Sequence, residues 1–185
     1  MDRNQALDDL KSIRQIMDRT RQTSGRYGGW FMTIAGIMWF VGFTGSQFLP
    51  ESCLGWLWAV VSGLGTLAMV WVGTHATRHS SVKASPWWPF LLYWCSLGAL
   101  DILLIWIFGI DDSTEIGLLI LLSTALGYVQ FGFFFHWIIG AVGILIAALA
   151  ITAFLLVPAY FSLAMAILGG GLLIASGLWI VCSGR

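Results

Sequence analysis

"SLGALDILLIWIFGIDDSTEIGLLILLSTALGY", residues 96–128, joins two apolar runs through a short acidic turn. A membrane-spanning helix needs about 20 mostly apolar residues, because each residue adds roughly 1.5 Å of rise. The acidic turn "DDSTE" is short, so the second run must fold back against the first. The stretch therefore predicts two antiparallel transmembrane helices, and it places one carboxylate, Asp101, inside the first helix.

Composition supports a membrane location for the rest of the chain. Of the 185 residues, 58% are hydrophobic and only 10% are charged, whereas a soluble domain has about 25% charged residues. So short a chain cannot bury that much apolar surface in water. The three cysteines show neither a disulfide framework nor a zinc-binding spacing.

Apolar runs bounded by polar or turn residues predict six spans. They cover about 28–49, 54–74, 87–110, 116–134, 137–157 and 160–181. Residues 116–157 contain almost no loop, yet one helix of that length would be about twice as long as the bilayer is thick. The chain must therefore reverse there, and "VQFGFFFHW" (129–137) is the predicted turn.

The charges give the orientation. With six spans and a cytoplasmic N-terminus, all nine lysines and arginines fall on the cytoplasmic side, as the positive-inside rule requires. The predicted outer loops carry only acidic charges, at Glu51, Asp111, Asp112 and Glu115. The chain begins without an apolar signal-peptide core, so we expect the first span to act as an uncleaved signal. The predicted fold is all-α: a polytopic bundle of six transmembrane helices (27–185) with both termini cytoplasmic, preceded by a short cytoplasmic amphipathic helix (1–26).

The N-terminal segment has a helical apolar stripe formed by Leu10, Ile13 and Met17 together with Ala6. Two interpretations stay open. The helix lies on the inner membrane surface, with its arginines near anionic headgroups, or it docks a cytoplasmic protein partner or a second copy of the chain. The opposite face mixes aspartates with basic residues, which keeps the docking interpretation open beside lipid binding.

This region also carries a family resemblance. "LDDLKSIRQIMDRT", followed by "GWFMTIAGI" at the start of the first span, resembles a group of uncharacterised bacterial polytopic inner-membrane proteins with a Leu-x-x-Ile-Arg-x-x-Met segment. The resemblance covers about the first forty residues. It implies a location in the bacterial cytoplasmic (inner) membrane and no particular activity.

Asp101 is the main candidate for a functional residue. It lies about 13 Å by helical rise from the outer end of its span, close to the bilayer midplane, where a charge costs a few kcal/mol. No lysine or arginine lies inside any predicted span, so we expect Asp101 to be mostly neutral and to donate a hydrogen bond. Residues at matching depth are the expected neighbours: Ser123, Thr124, Ser62 and the glycines 169–171.

Two interpretations of this layer stay open. In the first, Asp101 is a clasp, a neutral hydrogen bond that joins two helices while the glycines allow close packing. In the second, Asp101, Ser123, Thr124 and Ser62 bind a proton, a cation or a small polar solute, and the sixth helix breaks at "LGGGLL".

Other chemistry is weakly represented. His75 and His79 have helical i, i+4 spacing, but no acidic residue nearby completes a metal site, so we expect interfacial histidines and no metal or cofactor. No catalytic constellation or nucleic-acid surface is recognisable. The sequence favours an accessory, regulatory or sensing membrane component that acts through protein–protein contacts, not an enzyme. The alternative is a small transporter or a solute- or proton-binding bundle that uses Asp101; a haem or redox enzyme ranks below both.

Overall fold

The computed structural model describes residues 27–79, 88–134 and 137–183. Within these ranges the regular structure is helical, which confirms the prediction of an all-α fold. The described residues form six helices: α1 (Tyr27–Phe48), α2 (Glu51–His79), α3 (Trp88–Phe108), α4 (Ser113–Phe134), α5 (Trp137–Leu156) and α6 (Pro158–Ser183). The predicted amphipathic helix at 1–26 lies outside the described residues.

Five of the helices, all except α3, are long and apolar enough to cross a membrane. The described apolar part of α3, Leu92–Phe108, is shorter than the other five. Every predicted span coincides with one helix to within a few residues; the largest difference is at α2, which continues to His79. These properties are those of a multi-pass helical membrane protein.

The helices pack in a sequence that differs from their order in the chain. α2 packs on α1, where Gly42 and Gly45 of α1 face Trp58 and Leu57 of α2. α1 packs on α6, α6 on α5, α5 on α4, and α4 on α3. Most of the buried core lies where α4, α5 and α6 meet: Leu121, Ala125, Tyr128, Val142, Ile146, Ala150, Ala153, Phe161 and Met165.

Glycines set the closest approaches between helices. A Cβ atom at Gly132 of α4 would stand 2.5 Å from the Cα of Gly140 in α5, and one at Gly36 of α1 would stand 2.8 Å from the carbonyl oxygen of Gly170 in α6. Helices in membranes gain most of their association energy from such close packing, because lipid supplies little hydrophobic driving force. These contacts also fix how each helix is rotated about its axis.

Two sequence expectations need correction. The sixth helix does not break at "LGGGLL": it widens into a π-helix at Met165–Gly170 and continues as α-helix from Gly171. A π-helical segment keeps the backbone hydrogen-bonded, which is required of a chain surrounded by lipid. The turn after the fourth helix begins later than "VQFG" suggested, because α4 runs through Gln130 and Gly132 to Phe134.

Candidate functional site

The turn between α3 and α4 is closed by capping at both helix ends. Gly109 follows the last residue of α3 with φ of 59°, and the Ile110 N–H donates to the Ile105 carbonyl at 3.2 Å. This is the glycine-terminated C-cap expected where a helix ends in a left-handed residue. A side chain with a Cβ would be strained in that conformation, so glycine fits best at the turn.

Asp112 caps the start of α4. Its Oδ1 accepts the backbone N–H groups of Thr114 at 2.6 Å and Glu115 at 3.2 Å, which have no partner inside the helix. These hydrogen bonds, that of Thr114 first, hold the pKa of Asp112 below its ordinary value. Only four residues, 109–112, separate the two helices, so the pairing of α3 with α4 follows from the turn.

That pairing brings Asp101 against Ser123. The Ser123 hydroxyl donates to Asp101 Oδ1 at 2.6 Å. Asp101 is only 6% exposed, while its neighbours Leu100 and Ile102 are exposed at 48% and 71%. The carboxyl group therefore faces α4 and is shielded from the surroundings of α3.

A second hydrogen bond joins the same two helices. The Tyr93 hydroxyl donates to Gln130 Oε1 at 2.6 Å, about two helical turns from Asp101 on α3 and from Ser123 on α4. Tyr93, Trp94 and Phe131 form edge and stacked ring contacts beside it. Sequence reasoning missed this pair because it assigned Gln130 to a turn; counting both helices from "DDSTE" in the same register would have found it.

Together these contacts define the α3–α4 seam, the line along which α3 packs on α4. On α3 the seam residues recur at helical spacing and are partly or fully buried: Tyr93, Trp94, Leu97, Gly98, Asp101, Leu104 and Ile105. On α4 the seam includes Ser123, Gly127 and Gln130. Asp101 is the only carboxyl group on it among the described residues.

The structure does not gather all the predicted site residues. The Thr124 hydroxyl donates to the Ile120 carbonyl of its own helix at 2.7 Å instead of reaching Asp101. Ser62 lies on α2, which packs on α1. Gly169 and Gly170 of α6 face α1. The predicted polar layer is therefore one pair, Asp101 with Ser123.

The remaining predicted residues lie elsewhere. The docking residues Leu10, Ile13 and Met17 fall outside the described residues. The His75 ring stacks on Trp71 of the same helix, with ring centroids 5.6 Å apart. Among residues 27–79, 88–134 and 137–183, no three metal-ligating side chains come together.

Sequence reasoning also missed Gln47 and Ser46 at the end of α1. Gln47 donates through Nε2 to the Ala159 carbonyl at 3.1 Å and accepts the Leu163 N–H at 3.3 Å. It thus caps the first turn of α6 from a neighbouring helix. Ser46 accepts a hydrogen bond from the Trp58 indole at 3.1 Å, which joins α1 to α2.

Two surface depressions on the described part of the chain lie away from Asp101. One, of about 370 Å³, lies beside Ile102, Trp106 and Gly109, on the half of α3 next to the Gly109–Asp112 turn. Another, of about 300 Å³, lies between α4 and α5 beside Gly132, Trp137 and Gly140. Both are open and mostly apolar, and neither is lined by Asp101 or Ser123.

No protein-family model, curated protein or solved structure matches the chain. The fold and the site together define the class: a helical multi-pass membrane protein with a buried carboxyl group hydrogen-bonded between two helices.

Proposed function

We propose that the protein is an accessory, regulatory or sensing component of a bacterial cytoplasmic membrane, and that it acts through contacts with other proteins. The observation that carries this proposal is that polar side chains form hydrogen bonds between helices. Asp101 with Ser123, Tyr93 with Gln130, and Gln47 with the start of α6 all join one helix to another. Polar groups that hold helices together are not arranged around a substrate.

The proposal includes six spans, with α3 as the third and both termini in the cytoplasm. α3 has 21 residues, about the length that crosses a bilayer. Counting it as a span puts all nine lysines and arginines on the cytoplasmic side. Reporter fusions after residues 50, 83, 112, 136, 158 and 185 test this topology. Reporters that alternate between the two sides of the membrane support six spans, and reporters at 83 and 112 on the same side contradict them.

Two surfaces are available for partners. α2 packs on α1 and leaves large side chains exposed along its length: Trp56, Val60, Leu64, Leu67 and Trp71. The second surface is the N-terminal stripe of Leu10, Ile13 and Met17, which the sequence predicts for docking. We favour the N-terminal stripe as the contact with a cytoplasmic partner or a second copy, because the α2 face also suits lipid.

Deletion of residues 1–22 tests partner docking, with a sharper variant beside it. Replacing Leu10, Ile13 and Met17 together by serine removes the stripe and retains every charge. The control replaces Asp8, Asp9 and Lys11 by serine on the other face. In-membrane cross-linking followed by mass spectrometry should lose the same cross-linked protein in the deletion and the stripe variant but not in the control. Unchanged cross-links in the stripe variant would contradict docking.

The transporter hypothesis has less support from the geometry. A transported solute needs access to its site from both sides of the membrane, and transport sites gather several polar groups. The described residues offer Asp101 with Ser123, and beyond them toward the Gly109–Asp112 turn the seam is apolar at Leu104 and Ile105. We therefore place transport second to an accessory role.

A further inference from the structure

We propose that Asp101 is a proton-binding site, and that the proton reaches it along the α3–α4 seam from one end of the bundle only. That end is the one where α4 ends and α5 begins. The reaction is the addition of one proton to the carboxylate to give the carboxylic acid, and no other bond changes. The inference goes beyond the proposed function, because a proton site requires no protein partner.

Polar groups lie on one side of Asp101 along the seam. Toward the α4–α5 end, Tyr93 and Gln130 are hydrogen-bonded to each other, and the Gln130 side chain is exposed. The exposed Ser96 hydroxyl lies off the seam and donates to the Tyr93 carbonyl of its own helix at 2.8 Å. Tyr93 is eight residues from Asp101, or about 12 Å by helical rise, a gap that a few water molecules would bridge.

The seam is open at Gly98 in that direction. Gly98 lies one helical turn from Asp101, and no heavy atom stands within 4 Å of the position of a Cβ there. A Cβ atom added at Gly127, by contrast, would stand 3.2 Å from the Trp94 ring and 3.3 Å from the Tyr93 hydroxyl. The aromatic rings therefore cover one flank of the seam, while the flank at Gly98 is open.

In the opposite direction the seam is apolar. The residues one turn beyond Asp101 on α3 are Leu104 and Ile105, and those one and two turns beyond Ser123 on the same face of α4 are Leu119 and Ile116. Without polar groups, this half gives a proton no hydrogen-bonded path to the Gly109–Asp112 turn. Access to Asp101 is consequently one-sided.

The side chains around Asp101 on the two helices of the seam are mostly uncharged. α3 packs on α4, and Ser123 is the polar side chain that meets the carboxyl group from α4. The titratable groups nearest along the two helices are the exposed Cys95 and the tyrosines Tyr93 and Tyr128, and Glu115 lies exposed near the turn. Among the described residues of α3 and α4 no lysine, arginine or histidine faces Asp101. A hydroxyl can bond to the ionised or to the protonated form of the carboxyl group.

Labelling with dicyclohexylcarbodiimide, an apolar reagent that reacts with protonated carboxyl groups in membranes, tests the site. We expect a single adduct on the peptide that contains Asp101, decreasing as the pH rises and lost in Asp101→Asn. The asparagine retains an oxygen for Ser123, so the hydrogen bond and the fold are preserved. Labelling that does not change with pH would overturn the proton site.

Sidedness is tested in liposomes whose two faces are held at different pH. Cys53 is exposed in the first turn of α2. In a protein with Cys95 and Cys182 replaced by alanine, impermeant maleimide labelling of Cys53 sorts the molecules by orientation. Asp101 labelling should follow the pH at the α4–α5 end. In Gln130→Leu, and independently in Tyr93→Phe, this dependence should be lost, whereas the matched control Ser96→Ala should behave as the parent. Labelling that follows the pH at the Gly109–Asp112 end, or is unchanged in both route variants, would overturn one-sided access.

Discussion

The Ser123 hydroxyl lies 2.6 Å from Asp101 Oδ1, while the adjacent Thr124 hydroxyl bonds to its own helix. Adjacent residues on a helix point about 100° apart, so only one of the two can meet α3. The rotation of α4 about its axis makes that choice, and α4 is held in this rotation by its glycine contacts with α5.

Ser123→Ala should destabilise the protein, because it removes the hydrogen bond between α3 and α4. Interhelical hydrogen bonds of this kind contribute about 0.6 kcal/mol on average and up to about 1.7 kcal/mol. The measurement is the free energy of unfolding in mixed micelles as denaturing detergent is added. Thr124→Val is the matched control and should change it little; equal losses in the two variants would show that the hydrogen bond contributes nothing.

Gly132→Ala should disrupt the packing of α4 on α5. The new Cβ atom would stand 2.5 Å from the Cα of Gly140, and backbone cannot move aside as a flexible side chain can. Overpacking costs about 1 to 3 kcal/mol, which the thermal unfolding midpoint would report. Gly55→Ala on α2 is the control, since nothing lies within 4 Å of that position. A Gly132→Ala protein as stable as Gly55→Ala would contradict the close approach.

Asp112 should make the α3–α4 turn sensitive to acid. Its pKa is lowered in the folded protein by hydrogen bonds from Thr114 and Glu115. Its contribution to stability is therefore present above the ordinary aspartate value of about 3.9 and is lost as the pH falls through the lower folded value.

The thermal midpoint, followed from neutral pH to below pH ~4, measures this effect. Asp112→Asn retains an oxygen acceptor, so its thermal midpoint should no longer show the part of the acid-induced decrease that Asp112 causes. Asp112→Ala should have a lower thermal midpoint than the parent at every pH. Asp111→Asn is the control and should keep the acid response of the parent. An unaltered acid response in Asp112→Asn would assign the effect to another carboxyl group.

Gln47→Leu should loosen the start of α6. It removes one hydrogen bond to Ala159 and one from Leu163, each of which contributes on the order of 1 kcal/mol. Hydrogen exchange of the Leu163 amide, measured by mass spectrometry of the covering peptide, should accelerate. Ser52→Ala, an exposed polar change at the start of α2, serves as the control. Unchanged exchange would show that the first turn of α6 is held by its own packing.

The sequence by itself determined the helical class and the position of each helix along the chain. The length of an apolar run and the glycine and acidic residues that cap a helix are local properties of the sequence. Residues 96–128 alone contain two helices, the turn at Gly109 and Asp112, and a carboxyl group near the middle of a helix. These features need no knowledge of the rest of the molecule, because a helix in lipid satisfies its own backbone.

The tertiary structure alone decided which side chains meet. Ser62 matched Asp101 in depth yet lies on α2, and Gln47 reaches a turn more than a hundred residues away. The depth of a residue in the membrane follows from counting along its own helix. Which helix that residue contacts, and which side of the helix it lies on, depend on how the helices are arranged and rotated. Those are set by contacts between distant residues, such as Gly132 with Gly140 and Gly36 with Gly170. For that reason the predicted four-residue layer became the single pair of Asp101 and Ser123.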